Sequence, residues 1–436
     1  MWQTIVNAFK IKEVRRKILI TIALLFVYRL GCYIPVPGIT EFKDLDKYAF
    51  LQIMSGVSGG ALQYGTLFAM GIGPYINASI IIQLLTVGIP ALEQLSKQGE
   101  EGRRRINTYT RILTLVLAIA QAIGILVAFK NSIQFEYLFG TEGFLKALSY
   151  IFLVLVYTAG AAFTMWLGER ITDYGVSNGI SMLIFAGILS TAGTAILHQF
   201  SLLGSGDSAT RATAIWSLIG FVVIAILIFA AIVTVESAER KIPVQYAKQV
   251  KGRKMYGGQS THIPIKVNSS GVMPLIFAFA ILSFPDLVMN LFGLSKGDSF
   301  YDFWIKWFGT GGIIYMPILC LFILFFSYFY NQIQFNPDDI SKSIQSNGGF
   351  IPGTRPGKPT ADYLKKVSNR ITLFGAIYLA IVALVPSLLF KIISPDGSLV
   401  NVFSATGLLI VVSVALEFDQ ALTSQIMMKN YKGFLK

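Results

Sequence analysis

Leu67-Phe68-Ala69-Met70-Gly71-Ile72-Gly73-Pro74-Tyr75-Ile76-Asn77-Ala78-Ser79-Ile80-Ile81-Ile82-Gln83-Leu84-Leu85-Thr86-Val87-Gly88-Ile89 contains no charged residue. As a helix it is long enough to cross a hydrocarbon core ~30 Å thick. Near its start, however, Pro74 lacks a backbone donor and its ring clashes with the preceding turn, so a helix must break there. Gly71 and Gly73 flank the break, and Asn77, Ser79 and Gln83 follow on the next turns. In lipid, carbonyls freed by such a break must face protein or water. A broken, polar-lined span therefore predicts a membrane bundle with a protein-lined or aqueous interior.

Working outward, similar apolar runs occupy about 18–34, 112–129, 148–167, 180–197, 214–235, 272–292, 313–330, 371–390 and 402–418, which predicts ten spans in an all-α polytopic membrane protein. Composition agrees: 54% of the 436 residues are hydrophobic and 14% charged, too few charges for an ordinary soluble surface. The first run follows Lys10, Lys12, Arg15, Arg16 and Lys17, as a secretory signal would, but Ile34-Pro35-Val36-Pro37-Gly38 ends it without a small-residue cleavage pattern. It reads as a retained helix. Trp2 to Val14 has the helical spacing of a segment lying on the membrane surface. Cys32 and Cys320, both in apolar runs, supply neither a disulfide scaffold nor a thiolate metal cluster.

The net charge of +13 admits nucleic acid, anionic lipid or cytoplasmic loops, and its distribution decides. With the N-terminus inside, the even-numbered connections and both tails carry the whole basic excess, as the positive-inside bias requires. Two of these connections, about 236–267 and 331–370, exceed the usual loop length and are expected to be functional. The first contains the strand-compatible Thr261-His262-Ile263-Pro264-Ile265-Lys266-Val267, the second Gly348-Gly349-Phe350-Ile351-Pro352-Gly353-Thr354-Arg355-Pro356-Gly357. Their turn chemistry predicts ordered protrusions, although solvated loops that only fix topology are the plainer alternative.

Residues 55–66 are Gly-rich, only weakly apolar and too short to span a bilayer. Span seven repeats the broken pattern of span two, with Asn268, Ser269, Ser270, Gly271 and Pro274. Corresponding broken helices in two five-span halves point to a transport pathway where the halves meet; Pro-kinked helices packed through small residues are the alternative. Catalytic chemistry finds little support. Gly353 to Pro359 fails the phosphate-loop pattern at Pro352 and Pro359, and Gly56-Val57-Ser58-Gly59-Gly60 lacks the strand, acid and His context of a nucleophile elbow. His198 and His262 fall on opposite faces, so no zinc pair is expected. No enzyme activity, cofactor or metal is anticipated. Arg29 lies near the outer end of its span, where it can snorkel, while Glu169, Glu236 and Glu417 fall at inner helix ends.

Taken together, the 34–38 stretch, Gly59 to Leu62 with Gly71 to Leu85, Trp166-Leu167-Gly168-Glu169-Arg170-Ile171-Thr172 with Asn178-Gly179-Ile180-Ser181, Gln259 to Asn268, and Arg355-Pro356-Gly357 resemble the SecY family of bacterial protein-conducting channels. The resemblance runs in order along nearly the whole chain. It implies two pseudo-symmetric, inverted halves around an hourglass pore: 18–198 and 214–418, joined by an external hinge at 199–213, with a cytoplasmic N-terminal segment 1–17 and tail 419–436. At the waist it implies an aliphatic ring of Ile72, Ile76, Ile184, Ile276 and Ile410. It makes 55–66 a plug, with Ser55, Gly56, Gly59, Gly60, Ala61 and Leu62 as its central residues. A lateral gate would carry Gln83, Gln121 and Asn268. The long inner loops would dock SecA or the ribosome through Arg240, Lys248, Lys251, Arg253, Lys254, Arg355, Pro356 and Gly357.

The function so implied is passage of unfolded secretory chains across, and release of transmembrane segments into, the bacterial plasma membrane. The implied partners are SecE, SecG, the SecA motor, ribosomal RNA and proteins, signal peptides and nascent chains, YidC and anionic phospholipids. A small-solute secondary transporter with inverted repeats is the rival, and a pore-less membrane scaffold is a third reading. The transporter needs a polar pocket that an aliphatic ring does not offer.

Overall fold

The computed structural model describes residues 2–42, 51, 54–56, 58–135, 138–140, 142–203, 208–246, 249–251, 254–256, 260–268, 271–291, 299–309, 314–393 and 405–433. Lys248, Arg253, Val57, Ser269 and Ser270 lie outside them. Each apolar run contains a helix. A short α1 (Trp2–Lys10) leads into α2 (Lys12–Gly31), followed by α3 (Gly73–Gly88), α4 (Pro90–Lys97), α5 (Glu100–Ala128), α6 (Gly143–Tyr174), α7 (Gly179–Leu203) and α8 (Ser208–Glu236). Four strands intervene: β1 (Glu239–Tyr246), β2 (Gln249–Lys251), β3 (Lys254–Tyr256) and β4 (Ser260–Lys266). Then come α9 (Met273–Leu291), α10 (Ser299–Phe308), α11 (Tyr315–Gln334), α12 (Pro337–Ser346), β5 (Gly349–Phe350), α13 (Lys358–Ile393) and α14 (Ala405–Gly433).

Among the described residues, five helical stretches are long and apolar enough to cross a membrane, and the bent pair α3 and α4 makes up to six. Shorter apolar helices lie at 179–194, 222–236 and 273–282. α2 holds its basic cluster and Arg29 within its own bounds. Leu19, Ile22, Phe26 and Leu30 are nonetheless exposed along one side of it, an arrangement suited to lipid and not to water. α3 and α4 bend by 101° at Ile89, which Pro90 forces into an extended conformation (φ −112°, ψ 113°). α5 begins on Glu100 and Glu101, which complement its N-terminal dipole and pair one turn on with Arg104 at 2.8 Å and Arg105 at 2.9 Å.

By packing, the chain divides into two compact units, Met1–Leu218 with Ala280–Tyr315 and Asp396–Lys436, and Ile219–Phe279 with Met316–Pro395. This division follows contacts, whereas the 18–198 and 214–418 halves follow chain order. In the first unit the two ends of the chain meet, because α14 packs on α7, α2 and α1. Ala8, Val14, Ile18, Val176 and Leu422 form one buried cluster, and Gln425 Nε2 donates to the Val176 carbonyl at 3.3 Å. α1 is therefore more than a surface helix. Its small Ala8 is fully buried while Val6 and Phe9 stay exposed.

The centre of the first unit is α6. Gly160, Thr164 and Gly168 recur every four residues and so share one helix face. That face receives the irregular backbone that precedes α3. A Cβ on Gly160 would collide with the Leu67 carbonyl, Thr164 Oγ1 donates to the Gly71 carbonyl at 2.8 Å, and Gly168 lies beside Ile72. Small residues let two backbones approach closely in a membrane. Gly160→Ala is expected to destabilise the protein by about 1–3 kcal/mol through overpacking, read as a lowered thermal midpoint of the purified protein in detergent. An unchanged midpoint would mean that the contact yields freely.

Candidate functional site

α3 starts at its proline. Gly73 and Pro74 occupy the first turn, where a missing N–H costs no hydrogen bond. Its 16 residues reach only about 24 Å, short of the ~30 Å core. Turns occupy the chain between Ser58 and Ile72 that leads into it. Gly59, Gly60, Gly65 and Gly71 have φ of 71°, 84°, 56° and 51°, values that only glycine adopts without strain.

The segment 55–66 folds back onto the start of α3. Cβ atoms placed on Gly71 and Gly73 would lie 3.3 Å from Ser58 Cβ and 3.1 Å from Met54 Cε. Ser58, Ala61 and Leu62 are buried; Ser55, Gly56, Gly59 and Gly60 are half-buried. The Gly60 amide donates to the Ser55 carbonyl at 2.8 Å, the Thr66 hydroxyl to the Ala61 carbonyl at 3.1 Å, and Thr191 Oγ1 of α7 to the Gly56 carbonyl at 3.0 Å. The segment is a hydrogen-bonded cap whose seat is the broken end of α3.

Of the five isoleucines, Ile72, Ile184 and Ile410 are buried, Ile76 and Ile276 half-buried. Ile72 and Ile76 flank Pro74 on α3, Ile184 lies on α7 and Ile410 on α14, which packs against α7. These four belong to the first unit and Ile276, near the start of α9, to the second. Gln83 and Gln121 are in the first unit and Asn268 in the second. Gln83 Nε2 donates to Ser79 Oγ one turn back at 3.3 Å. Gln121 is buried on α5 with neither amide atom hydrogen-bonded among the described residues. Asn268 is also buried, but its Nδ2 donates to Glu236 Oε1 at 2.7 Å and to the Gly271 carbonyl at 3.1 Å, which ties the end of α8 to the start of α9.

The two long connections form one body within the second unit. β1 pairs antiparallel with β4, with Ile242 opposite Ile263 and Arg240 opposite Ile265. On its other side β1 meets β5 from the second connection, with Gln245 opposite Phe350. Beneath this sheet, Ile242, Val244 and Ile265 share a core with Ile344, Ile351 and Leu364. β4 covers the stretch that reads as strand-compatible. The tip of the second connection is pinned from several sides: Thr360 Oγ1 donates to the Arg355 carbonyl and Ser341 Oγ to the Gly357 carbonyl, both at 2.7 Å. Gly353 and Gly357 supply φ of 86° and 95°. Arg355 and Pro356 project to solvent from this fixed turn, as Arg240 does from β1. Lys251 and Lys254 face each other at the end of the β2 and β3 hairpin; Lys248 and Arg253 lie outside the described residues.

Two polar contacts escape the sequence. Arg111 of α5 meets Glu169 of α6 at 2.7 Å, 58 positions apart, so no local spacing announces it. Arg29 does not snorkel outward. Its Nη2 bonds Ser190 Oγ of α7 and its guanidinium lies 5.2 Å from the Tyr33 ring centroid, so a polar partner on the neighbouring helix holds it.

Residues 66–418 match the SecY family model. The chain is 40% identical over 445 residues to the protein translocase subunit SecY of Halalkalibacterium halodurans, with all of both chains covered. To that of Streptomyces scabiei it is 39% identical over 447 residues, covering 99% of each. Among solved structures it resembles one described as a protein conducting channel (TM-score 0.66, 21% identity, 94% of this chain and 92% of that one). It also resembles Sec61 in a canine ribosome-channel complex (TM-score 0.61, 18% identity, the same coverage). Leu364→Ala should cost about 2–5 kcal/mol in the core shared by the two connections. Faster amide hydrogen exchange across β1 and β4 is the expected readout, and unaltered protection would show that the sheet stands without it.

Proposed function

The chain belongs to the SecY family, and from that premise we propose that it is the pore-forming subunit of the Sec protein-translocation channel. It is a multi-pass, all-α membrane protein. Unfolded secretory chains pass through it, and apolar segments of about 20 residues leave it sideways for lipid, where their transfer from water is favourable. The observation that carries this reading is the seating of the Gly-rich segment on the break of α3, with Ser58 against Gly71 and Met54 against Gly73, the two neighbours of Ile72 in the chain. A removable cap over an aliphatic constriction suits a pathway that must be closed at rest and must accept any sequence. A ring of Ile72, Ile76, Ile184, Ile276 and Ile410 would exclude water and ions by dewetting while offering no hydrogen bond that favours one polypeptide over another. The same lack of polar groups disfavours a small-solute transporter.

The lateral gate is assigned to Gln83, Gln121 and Asn268. Gln121, whose amide is unpaired among the described residues, gains most from a polar partner there; Asn268, bonded to Glu236 and Gly271, gains least. The joined inner connections form the docking platform, with Arg355 at its tip. An ordered basic prong fits both ribosomal RNA phosphates and an acidic motor surface. The canine Sec61 structure was obtained in a ribosome-channel complex, which supports the ribosome as a partner. SecA, SecE, SecG, YidC and anionic phospholipids are the further partners, and the bacterial plasma membrane, with both termini inside, is the location.

Ile76→Gly combined with Ile276→Gly should raise the resting ion conductance of the reconstituted complex in planar bilayers; an unaltered conductance would count against the gasket. Arg355→Glu should abolish SecA-driven export into inverted vesicles while complex assembly and membrane insertion persist. Export at the parental rate would reduce Arg355 to a structural turn residue.

A further inference from the structure

The cap does not rest on α3 alone. A Cβ built on Gly59 would collide with Nη1 of Arg29 on α2, and would come within 3.1 Å of the Gly187 carbonyl and 3.3 Å of the Gly187 Cα on α7. The backbone at Gly59 is thus held between a guanidinium and a helix. Ser190 on the same face of α7 fixes Arg29 through Nη2, and Tyr33 Oη accepts from that nitrogen at 3.3 Å. Thr191, the next residue, holds the Gly56 carbonyl. Nη1 is buried and has no hydrogen-bond partner among the described residues. Contact with the cap is therefore made by fit, and the two can part without breaking a bond. Gly59 also has φ 71°, so both the room and the backbone conformation demand glycine.

We propose that Arg29, oriented by Ser190, is the latch of the plug: its guanidinium clasps Gly59 against α7 and positions the plug in the resting channel. This rests on the reading of 55–66 as a plug and adds the residue that holds it. Seating depends on a cation from the first span reaching across to the fifth, so any movement of α2 relative to α7 loosens the clasp.

The test uses the purified channel complex in planar bilayers, with export of a precursor bearing a weakened signal peptide as a second readout. Arg29→Met and Ser190→Ala should each raise resting conductance several-fold and improve that export, with complex abundance unchanged. Gly59→Ala should do the same by collision, and should add nothing when combined with Arg29→Met. Should Arg29→Met fail to assemble, Ser190→Ala, which removes one hydroxyl, decides alone. Deletion of residues 55–66 is the reference. If the deletion raises conductance while Arg29→Met and Ser190→Ala leave it at the parental level, the latch is overturned and the plug stands. If the deletion itself changes nothing, the plug reading falls and the latch with it.

Discussion

A backbone carbonyl in hydrocarbon must find a donor, because lipid supplies none and each unmet group costs several kcal/mol. Pro74 and the glycines around it free such groups in the middle of a membrane span, and the organisation of the first unit follows from how they are covered. α6 brings a face of Gly160, Thr164 and Gly168 against the irregular segment, and the Thr164 hydroxyl takes up the Gly71 carbonyl. Other carbonyls close turns, as Phe68 does with the Gly71 amide at 2.8 Å and Met70 with the Gly73 amide at 3.3 Å. With those needs met inside protein, the helix can stop short of the full crossing and leave Ile72 and Ile76 at its blunt end. The cap at 55–66 then has a flat seat instead of a smooth helix.

Much of this architecture is legible in the sequence because it is written in local terms. Hydrophobic run length marks the spans, Pro74 marks the break, and the alternating Thr261-His262-Ile263-Pro264-Ile265-Lys266-Val267 marks β4. What escapes is pairing over long separations. Arg29 reads as an outward-reaching cation because no acidic residue lies near it in the chain; its partner Ser190 is 161 positions away. No local spacing pairs Arg111 with Glu169 until α5 and α6 are set side by side. α1 is amphipathic, and amphipathicity alone cannot distinguish lipid from a neighbouring helix. Its fully buried Ala8 shows that α14 covers part of the apolar face.

Polar residues inside the bundle divide by whether their hydrogen bonds are complete. Thr110 and Thr114 turn their hydroxyls onto carbonyls of their own helix at 3.0 and 2.7 Å and serve as packing residues of small volume. Asn331 and Ser368 satisfy each other between α11 and α13 at 2.9 Å. Gln121 is different: a buried primary amide with both ends unmet among the described residues is a standing demand for a partner. That contrast separates residues whose hydrogen bonds hold helices together from one whose polar ends are buried without any.

The sheet that joins the two inner connections has a mechanical consequence. Only Ser237 and Ala238 separate α8 from β1, and the Ala238 carbonyl accepts from the Val267 amide at 3.0 Å, closing the base of the hairpin. On the other strand, Asn268 binds Glu236 at 2.7 Å just ahead of α9. The platform is consequently geared to its supporting helices with almost no backlash. A displacement of the Arg355 turn is carried through β5, β1 and β4 to the start of the helix that bears Ile276, as by a crank and not a tether.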